Sequence, residues 1–487
     1  MNILLDTNIF IPLEPTDIKE ISQYSGLAKR LHRLAVEARV GIYLHPAIAK
    51  DIDRDTSQER ARLHKDLLEK YSYLPDPPQI AAKIEKVLGK VIKDSNDWVD
   101  HLLLAALDAD AVDFLITEDR NLKKKAERLG HDDRVLTISE GVDVISDLFE
   151  CLTLPPPAVQ MTRAHTLNAD DPIFQSFRQD YPSFNGWLTK CKREHRLSWT
   201  IGGDEGKLAA FCIVKKEDDN PYGLGTGVLK ICSFKVSDSF NGFRYGELLL
   251  KAVFDYAYEN KYKWSYITAF EKHGKLIELL RDFGFYYLER RSALGELIMV
   301  KPLTQDGKST GLDPLSYHIR HGPGFFRLDV PWYLIPIRYE YAAVLFPETA
   351  SNLDLFPGRH AFGNALRKAY LCHSPTKSIA QGCILLFYRS HQERGIVAIG
   401  IAEETFRSKY PDEIARKVAK RTVYSFDEIE KLCQSEVLGI LFRQAKIIKP
   451  PLPPEELINK GVFFRPPQSI TGIKEGSLEW LKNRLMT

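Results

Sequence analysis

Met1-Asn-Ile-Leu-Leu-Asp-Thr-Asn-Ile-Phe10 opens the chain with a short apolar run that ends on a carboxylate. Ile3, Leu4 and Leu5 have the unbroken apolar character of a strand buried on both faces, which is how strands of parallel sheets read. Such a strand delivers Asp6 to the carboxyl edge of its sheet, where open α/β folds collect their ligands. One Asp after a strand is ordinarily a turn former or a helix cap. Several acids delivered to one edge would suit a metal instead.

Further acids do head for that edge. Asp97-Trp-Val-Asp-His-Leu-Leu-Leu-Ala-Ala-Leu107 predicts a helix with Asp100 in its first turn and an apolar face through Val99, Leu103 and Ala106. Val112 to Asp119 predicts a buried strand that ends on another acid. The helix-then-strand order is a βα repeat, which brings Asp119 to the same edge as Asp6. Between them, Tyr43 to Asp51 predicts a strand followed by a Pro-started helix. It offers Asp51, Asp53 and Asp55, of which Asp51 is the chosen candidate. Asp97 serves either as the helix N-cap, the preferred reading, or as a further ligand. Thr7 and Asn8 orient Asp6 or cap the following turn, and His101 is packed or solvated.

Asp6-Thr7-Asn8, Asp100 to Leu107 and Thr117-Glu-Asp119 resemble the three signatures of the PIN-domain nucleases, over roughly residues 1 to 150. The resemblance implies an α/β domain with a parallel sheet, and Mg²⁺ or Mn²⁺ held by Asp6, Asp51, Asp100 and Asp119, with Asp97 as an additional ligand. It also implies a water activated for in-line attack on an RNA phosphodiester. Hard cations take oxygen ligands, and the ions would neutralise charge on both attacking and leaving oxygens. The family usually shows Glu in its second motif, where this chain has Asp51, one methylene shorter. PIN-like domains often dimerise, so the resemblance allows an oligomer.

At 487 residues the chain exceeds what one core supports. Three domains of about 150 to 180 residues are expected. Hydrophobic residues make up 44% and charged ones 27%, which suits a soluble globular protein. No run approaches the roughly 20 apolar residues of a membrane span. Asp6 interrupts any signal-peptide core, so a cytoplasmic protein with no membrane partner is expected. The seven cysteines include no Cys-x-x-Cys pair, which points to reduced thiols rather than a zinc site or disulfide framework. Basic against acidic residues number 21 and 28 in residues 1–150, 22 and 19 in 151–310, and 24 and 18 in 311–487. A basic partner domain could hold the polyanion that an acidic one repels, although ordinary surface variation produces the same imbalance.

Leu154-Pro-Pro-Pro157 excludes helix and central strand, and Lys301 to Gly311 is a polar linker with glycine. These mark units over 1–153, 158–303 and 311–487.

In the middle unit, Leu208 to Val214 and Leu229 to Val236 predict strands. The second runs into Ser237-Asp-Ser-Phe-Asn-Gly-Phe-Arg-Tyr-Gly246, and Glu247 to Tyr258 continues as a helix with Leu248, Leu249, Val253 and Ala257 on its apolar side. A strand, a Gly-containing loop and a helix start make an anion site, or simply a helix start. A strand over Tyr266 to Phe270, a helix over Leu276 to Asp282, Phe283-Gly-Phe-Tyr-Tyr287 and a last strand over Glu296 to Val300 complete the unit.

That order resembles the GNAT acyltransferase family over about residues 158 to 303, an α+β fold with a mixed sheet. The resemblance implies that the loop binds the pyrophosphate of acetyl-coenzyme A while an amine attacks the thioester. Coenzyme-binding positions are then Phe234, Val236, Asn241, Gly242, Arg244, Tyr245, Gly246 and Glu247. Arg244 replaces the first glycine of the family loop, and Leu280 stands where a general-acid tyrosine is often found. Coenzyme binding is therefore better indicated than transfer through that acid. Glu271, His273, Tyr286 and Tyr287 are nearby polar candidates with structural roles as the alternative.

In the last unit, Val330 to Ile337, Gly382 to Tyr388, Gly395 to Ile401 and Val437 to Phe442 predict strands of a small β-barrel. Helices are expected over Gly363 to Tyr370 and Ser425 to Leu432. Gln381 to Arg389 with the Gly395 strand resembles PUA-like barrels of the ASCH and EVE type, which implies binding of RNA or modified bases. Arg389, His391 and Arg394 in one loop, and Arg421 and Tyr424 in a basic stretch with Arg416, Lys417 and Lys420, suit phosphates and stacked bases. Asn364, Arg367 and Lys368 read as a solvated helix face.

The reading preferred from sequence is a metal-dependent endoribonuclease acting on RNA, tRNA included, with an acetyl-coenzyme A-binding domain and an RNA-binding C-terminal domain. By analogy such an assembly suits a toxin-like or defence-associated nuclease. The alternative is an N-acetyltransferase acting on an amine of RNA or protein, with the first domain regulatory or RNA-binding. An RNA-binding adaptor with neither site active is the third.

Overall fold

The computed structural model describes residues 1–16, 20, 22, 24–149, 159–203, 206–237, 245–305, 311–349, 365–390, 394–419, 421 and 424–486. The apolar run after Met1 forms β1 (Asn2–Leu5), the centre of a five-stranded sheet. The others are β2 (Gly41–Leu44), β3 (Ser72–Tyr73), β4 (Phe114–Ile116) and β5 (Val135–Leu136), all parallel in the order β3-β2-β1-β4-β5. The pleat divides β1 between two cores: Ile3 and Leu5 pack with the helices Ser25–Glu37 and Ile138–Leu148, and Leu4 packs with Asn96–Asp108 and Arg120–Leu129. Burial on both faces is why the run shows no polar alternation.

The middle unit is a seven-stranded mixed sheet of β6 (Gln160–Arg163), β7 (Leu197–Gly202), β8 (Leu208–Glu217), β9 (Val228–Val236), β10 (Trp264–Ala269), β11 (Tyr286–Arg291) and β12 (Leu297–Pro302). Its order is β11-β12-β10-β9-β8-β7-β6. Only β9 and β10 run parallel, joined across the helix Tyr245–Glu259. Their pairing stops at Ile231 opposite Ile267, while β9 continues to Val236 against β8 alone. At that point Ile213 faces Ser233 and Val214 faces Ile231, so Cys232 is an extra residue. A bulge bends and twists its strand, and here it turns β9 away from β10.

The last unit contains β13 (Trp332–Arg338), β14 (Arg367–Cys372), β15 (Ile384–Ser390), β16 (Gly395–Ser408), β17 (Val437–Leu452) and β18 (Thr471–Gly472), in the order β14-β17-β16-β15-β13-β18. Among the described residues this order has two edges, β14 and β18, rather than the closed ring of the expected barrel. The helix expected over Gly363 to Tyr370 is corrected. Residues 361–364 lie outside the described ones, and Arg367–Cys372 is a strand paired antiparallel with β17. Its short apolar pattern fits either period, and the free edge of β17 decides it. Phe426–Leu432 is helical as expected, opened by a capping box between Ser425 and Glu428.

The units share apolar cores. Ile3, Val142 and Ile145 of the first belong to one cluster with Tyr333, Ile337, Val418 and Ile429 of the last. The rings of Phe149 and Phe426 stack at 5.3 Å. No helix among the described residues is long and apolar enough to cross a membrane.

Candidate active site

The parting of β9 and β10 opens a cavity of about 570 Å³. Ser233, Phe234 and Val236 of β9, Thr268 and Ala269 of β10, and Leu276 and Leu279 of the helix Gly274–Asp282 form its inner walls. Phe177, Tyr181 and Trp187 close the other side. Beyond Ile231 the cleft edge of β9 has no strand partner among the described residues, so its backbone groups there are available to a ligand. Ser233 is 4% exposed, and its buried Oγ has no hydrogen-bond partner. Gly246 lets the helix Tyr245–Glu259 start against this wall: a Cβ there would lie 2.7 Å from Leu279 Cδ2 and 3.7 Å from atoms of Phe234 and Val236.

Three carboxylates line the cavity. Glu217 accepts from the Tyr266 hydroxyl, while its Oε1 has only the Lys215 and Lys230 ammonium groups at 3.7 and 3.9 Å. Glu296 accepts from Tyr181 OH at 2.6 Å and Ser292 Oγ at 2.8 Å. Asp180 pairs with Lys272 and with His273 Nε2 at 3.0 Å. Burial, and then the bond to a carboxylate, pushes the Tyr266 and Tyr181 hydroxyls up, so both remain neutral donors. Sequence reading missed Asp180, Tyr181, Glu217, Ser233 and Glu296. Tyr181 and Glu296 meet from distant segments, and the bulge that turns Ser233 inward has no glycine to announce it.

Of the coenzyme positions expected from sequence, Phe234 and Val236 line the cavity, and Tyr245 and Gly246 begin the helix beside it. Asn241, Gly242 and Arg244 lie outside the described residues. Glu247 is corrected: it is buried, and its Oε1 accepts from the Leu366 and Arg367 amides at 2.8 and 2.9 Å, so it ties the middle unit to the last. Leu280 is buried in the core of the middle unit.

At the edge of the first sheet, Asp6 accepts from Thr7 N at 2.7 Å, Asn8 Nδ2 at 2.5 Å and Thr117 Oγ1 at 2.6 Å. Burial raises its pKa from the ordinary 3.8 to about 7, and the Asp100 and Asp51 charges add to the rise. Thr7 Oγ1 donates to Asp51 at 2.7 Å. Burial also raises Asp100, against Lys125 at 2.7 Å, with Asp119 and Asp97 adding to the rise. Asp6 thus feels the charges of Asp51 and Asp100, and Asp100 those of Asp119 and Asp97. Asp119 itself caps the helix Arg120–Leu129 through Asn121 N at 2.7 Å. The preferred reading of Asp97 is corrected: Ser95 caps the helix Asn96–Asp108, and Asp97 pairs with Lys125. Asp53 pairs with Lys65. The metal-like trio among the described residues, with ligand atoms within 4.8 Å of one another, is Glu20, Asp55 and His64. Arg60 already bridges its two acids.

The nucleic-acid residues are mostly corrected. Arg389 is 1% exposed, reaches Thr349 O at 3.3 Å and lies over the Tyr339 ring. Tyr424 is 2% exposed and packs on Tyr341. Arg421 pairs with Glu403, and Arg416 with Asp110 of the first unit at 2.7 Å. Lys368 is fully buried, donates to Leu345 O at 2.6 Å and is pushed down to about 7 by burial. Arg394 is exposed, and His391 lies outside the described residues. A basic stretch in sequence has become a set of internal pairs.

Residues 161–285 match the acetyltransferase (GNAT) family, so the middle unit is a GNAT acetyltransferase domain. Solved structures similar to parts of the chain include an ASCH protein from Zymomonas mobilis, 14% identical over 31% of this chain and 94% of that one, with a TM-score of 0.25. A GNAT-family acetyltransferase from Staphylococcus aureus Mu50 is 11% identical over 30% of this chain and 100% of that one, TM-score 0.24. GCN5 from Tetrahymena is 12% identical over 30% and 96%, TM-score 0.21. No curated protein matches the chain.

Proposed function

We propose that this chain is an acetyl-coenzyme A-dependent N-acyltransferase whose acceptor is an amine on RNA or protein. The observation that carries the reading is the unpaired edge of β9 from Ser233 to Val236, facing a cavity inside a domain of a family that binds acetyl-coenzyme A. Free strand backbone recognises extended amide-bearing ligands by adding a strand-like partner, which matches the amides of a pantetheine arm. Phe234, Val236, Ala269 and Leu279 supply the apolar wall beside it. When bound, the coenzyme supplies an activated acyl thioester.

An amine is protonated at neutral pH and must lose a proton before it attacks. Glu217 Oε1, which no hydrogen bond occupies, takes that proton, and the Tyr266 hydroxyl holds the carboxylate in place. The Ser233 hydroxyl is positioned to donate to a ligand oxygen or sulfur at the bulge. With Leu280 in place of the usual tyrosine, the departing thiolate relies on its own stability, since a thiol has a pKa of about 8.5. Calorimetry of the intact chain with acetyl-coenzyme A tests the reading. Saturable heat and amine-dependent release of free thiol are expected, and an absence of both rejects it.

The charges of Asp51 and Asp100 felt at buried Asp6, and that of Asp119 felt at Asp100, favour a second activity, the metal-dependent ribonuclease. Hard cations suit such a carboxylate set. Its test is cleavage of single-stranded RNA and tRNA with Mn²⁺ or Mg²⁺, abolished by Asp6→Asn with Asp100→Asn; RNA left intact by the unaltered chain ends this reading.

A further inference from the structure

The first unit contributes to the acyltransferase cleft. Arg120, the first residue of the helix Arg120–Leu129, lines the same cavity as Phe234, Val236 and Leu279. Its Nη1 lies 3.5 Å from the Lys272 carbonyl oxygen and 3.5 Å from where a Cβ would stand at Gly274. The loop that presents it is fixed from both sides. Glu118 pairs with Lys275 of the middle unit at 3.5 Å and accepts from Ile138 N of the first at 3.1 Å. Lys123, one turn on from Arg120, is held above its usual range by Glu140 and also feels Glu278 of the middle unit.

Most other cations of the cleft have a carboxylate partner, Lys215 and Lys230 sharing Glu217 at 3.7 and 3.9 Å. Lys272 pairs with Asp180, Lys275 with Glu118, and Lys190 and Arg196 with Glu194. Arg120 is exposed and has no carboxylate partner among the described residues. A guanidinium is permanently charged and presents a planar fork of donors that matches phosphate oxygens. Here it lines the same cavity as the apolar wall of Phe234, Val236, Ala269 and Leu279. A ligand that filled this cleft with an uncharged arm and left phosphates at its mouth would satisfy both.

We infer that Arg120 binds a phosphate of the coenzyme, so that the first unit completes the acyl-donor site of the second. The inference rests on the acyltransferase reading. The test compares coenzyme A with dephospho-coenzyme A, which lacks the 3′-phosphate, by calorimetry on the full chain and on Arg120→Ala, Arg120→Glu and Arg193→Ala. Arg120→Ala weakens coenzyme A binding about tenfold, the scale of one charge-assisted contact, and Arg120→Glu weakens it further. A loss confined to coenzyme A assigns the contact to the 3′-phosphate, and an equal loss with both ligands assigns it to the pyrophosphate. If the unaltered chain takes up no coenzyme, the acyltransferase reading itself fails. If it does, and Arg120→Ala binds equally well, only the role of Arg120 is overturned. Arg193→Ala, at an exposed cation that does not line the cavity, leaves affinity unchanged; a loss matching that of Arg120→Ala would reduce the effect to the general charge of the protein and also overturn the assignment.

Discussion

At the scale of the residue, Asp6 combines a structural role with a raised pKa. Its oxygens cap the helix Thr7–Leu13 and accept from Asn8 and Thr117, yet burial and the Asp100 and Asp51 charges hold its pKa near 7 instead of 3.8. A carboxyl whose pKa is raised by folding binds more protons in the native state than in the unfolded one. Its contribution is therefore present at low pH and lost as pH rises from about 4 to about 7. Asp6→Asn should raise the thermal midpoint at pH 8 and leave it nearly unchanged at pH 4, measured by calorimetric scans; an equal shift at both values would show that charge is not the cause. Glu217 makes the matching case in the cleft. Glu217→Gln keeps an acceptor for the Tyr266 hydroxyl but removes the base, so kcat should fall about 10²- to 10⁴-fold with coenzyme affinity retained. An undiminished rate would move the base elsewhere, Glu296 being the next carboxylate in the cavity.

At the scale of the element, the strands and helices of the first two units were largely legible because their patterns are long or unmixed. Ile3 to Leu5 and Phe114 to Ile116 are apolar without interruption, and Asn96–Asp108 repeats at helical spacing. Boundaries were less so: the cap of that helix is Ser95, since an acid at the next positions is equally at home in a first turn. Arg367–Cys372 was misread because six residues do not distinguish the two periods when a neighbouring edge is waiting. Glu247 shows the consequence. It lies at a coenzyme position by pattern, but β14 begins beside it and takes its carboxylate. Glu247→Ala strands two backbone donors and a nearby arginine, which should lower stability by about 3 kcal/mol in denaturant titrations. A neutral effect would mean that water replaces the carboxylate without loss.

At the scale of the whole molecule, the charge imbalance between the ends acquires an internal explanation. Arg416 reaches Asp110 and Asp113, and the amino terminus lies 3.6 Å from Asp412. Part of the basic surplus of the last unit thus faces the acidic first unit. Their shared core, in which Val142, Ile145, Val418 and Ile429 belong to one cluster and Phe149 stacks on Phe426, makes the first unit dependent on the last. A fragment of residues 1–149 should bind a hydrophobic dye and melt below the intact chain; a fragment as stable as the whole would show that the contact is dispensable. The sequence by itself determined the buried strands β1 and β4 and the acids Asp6 and Asp119 that follow them, because periodicity and chain direction are local properties of the chain. Only the tertiary structure decided which charges face a ligand. It buried Arg389, Tyr424 and Lys368, committed Glu247 to β14, and swung Arg120 across a domain boundary into the cleft. Partners 23 to 152 residues away along the chain leave no local trace, and a buried charge takes its role from whichever group lies within reach.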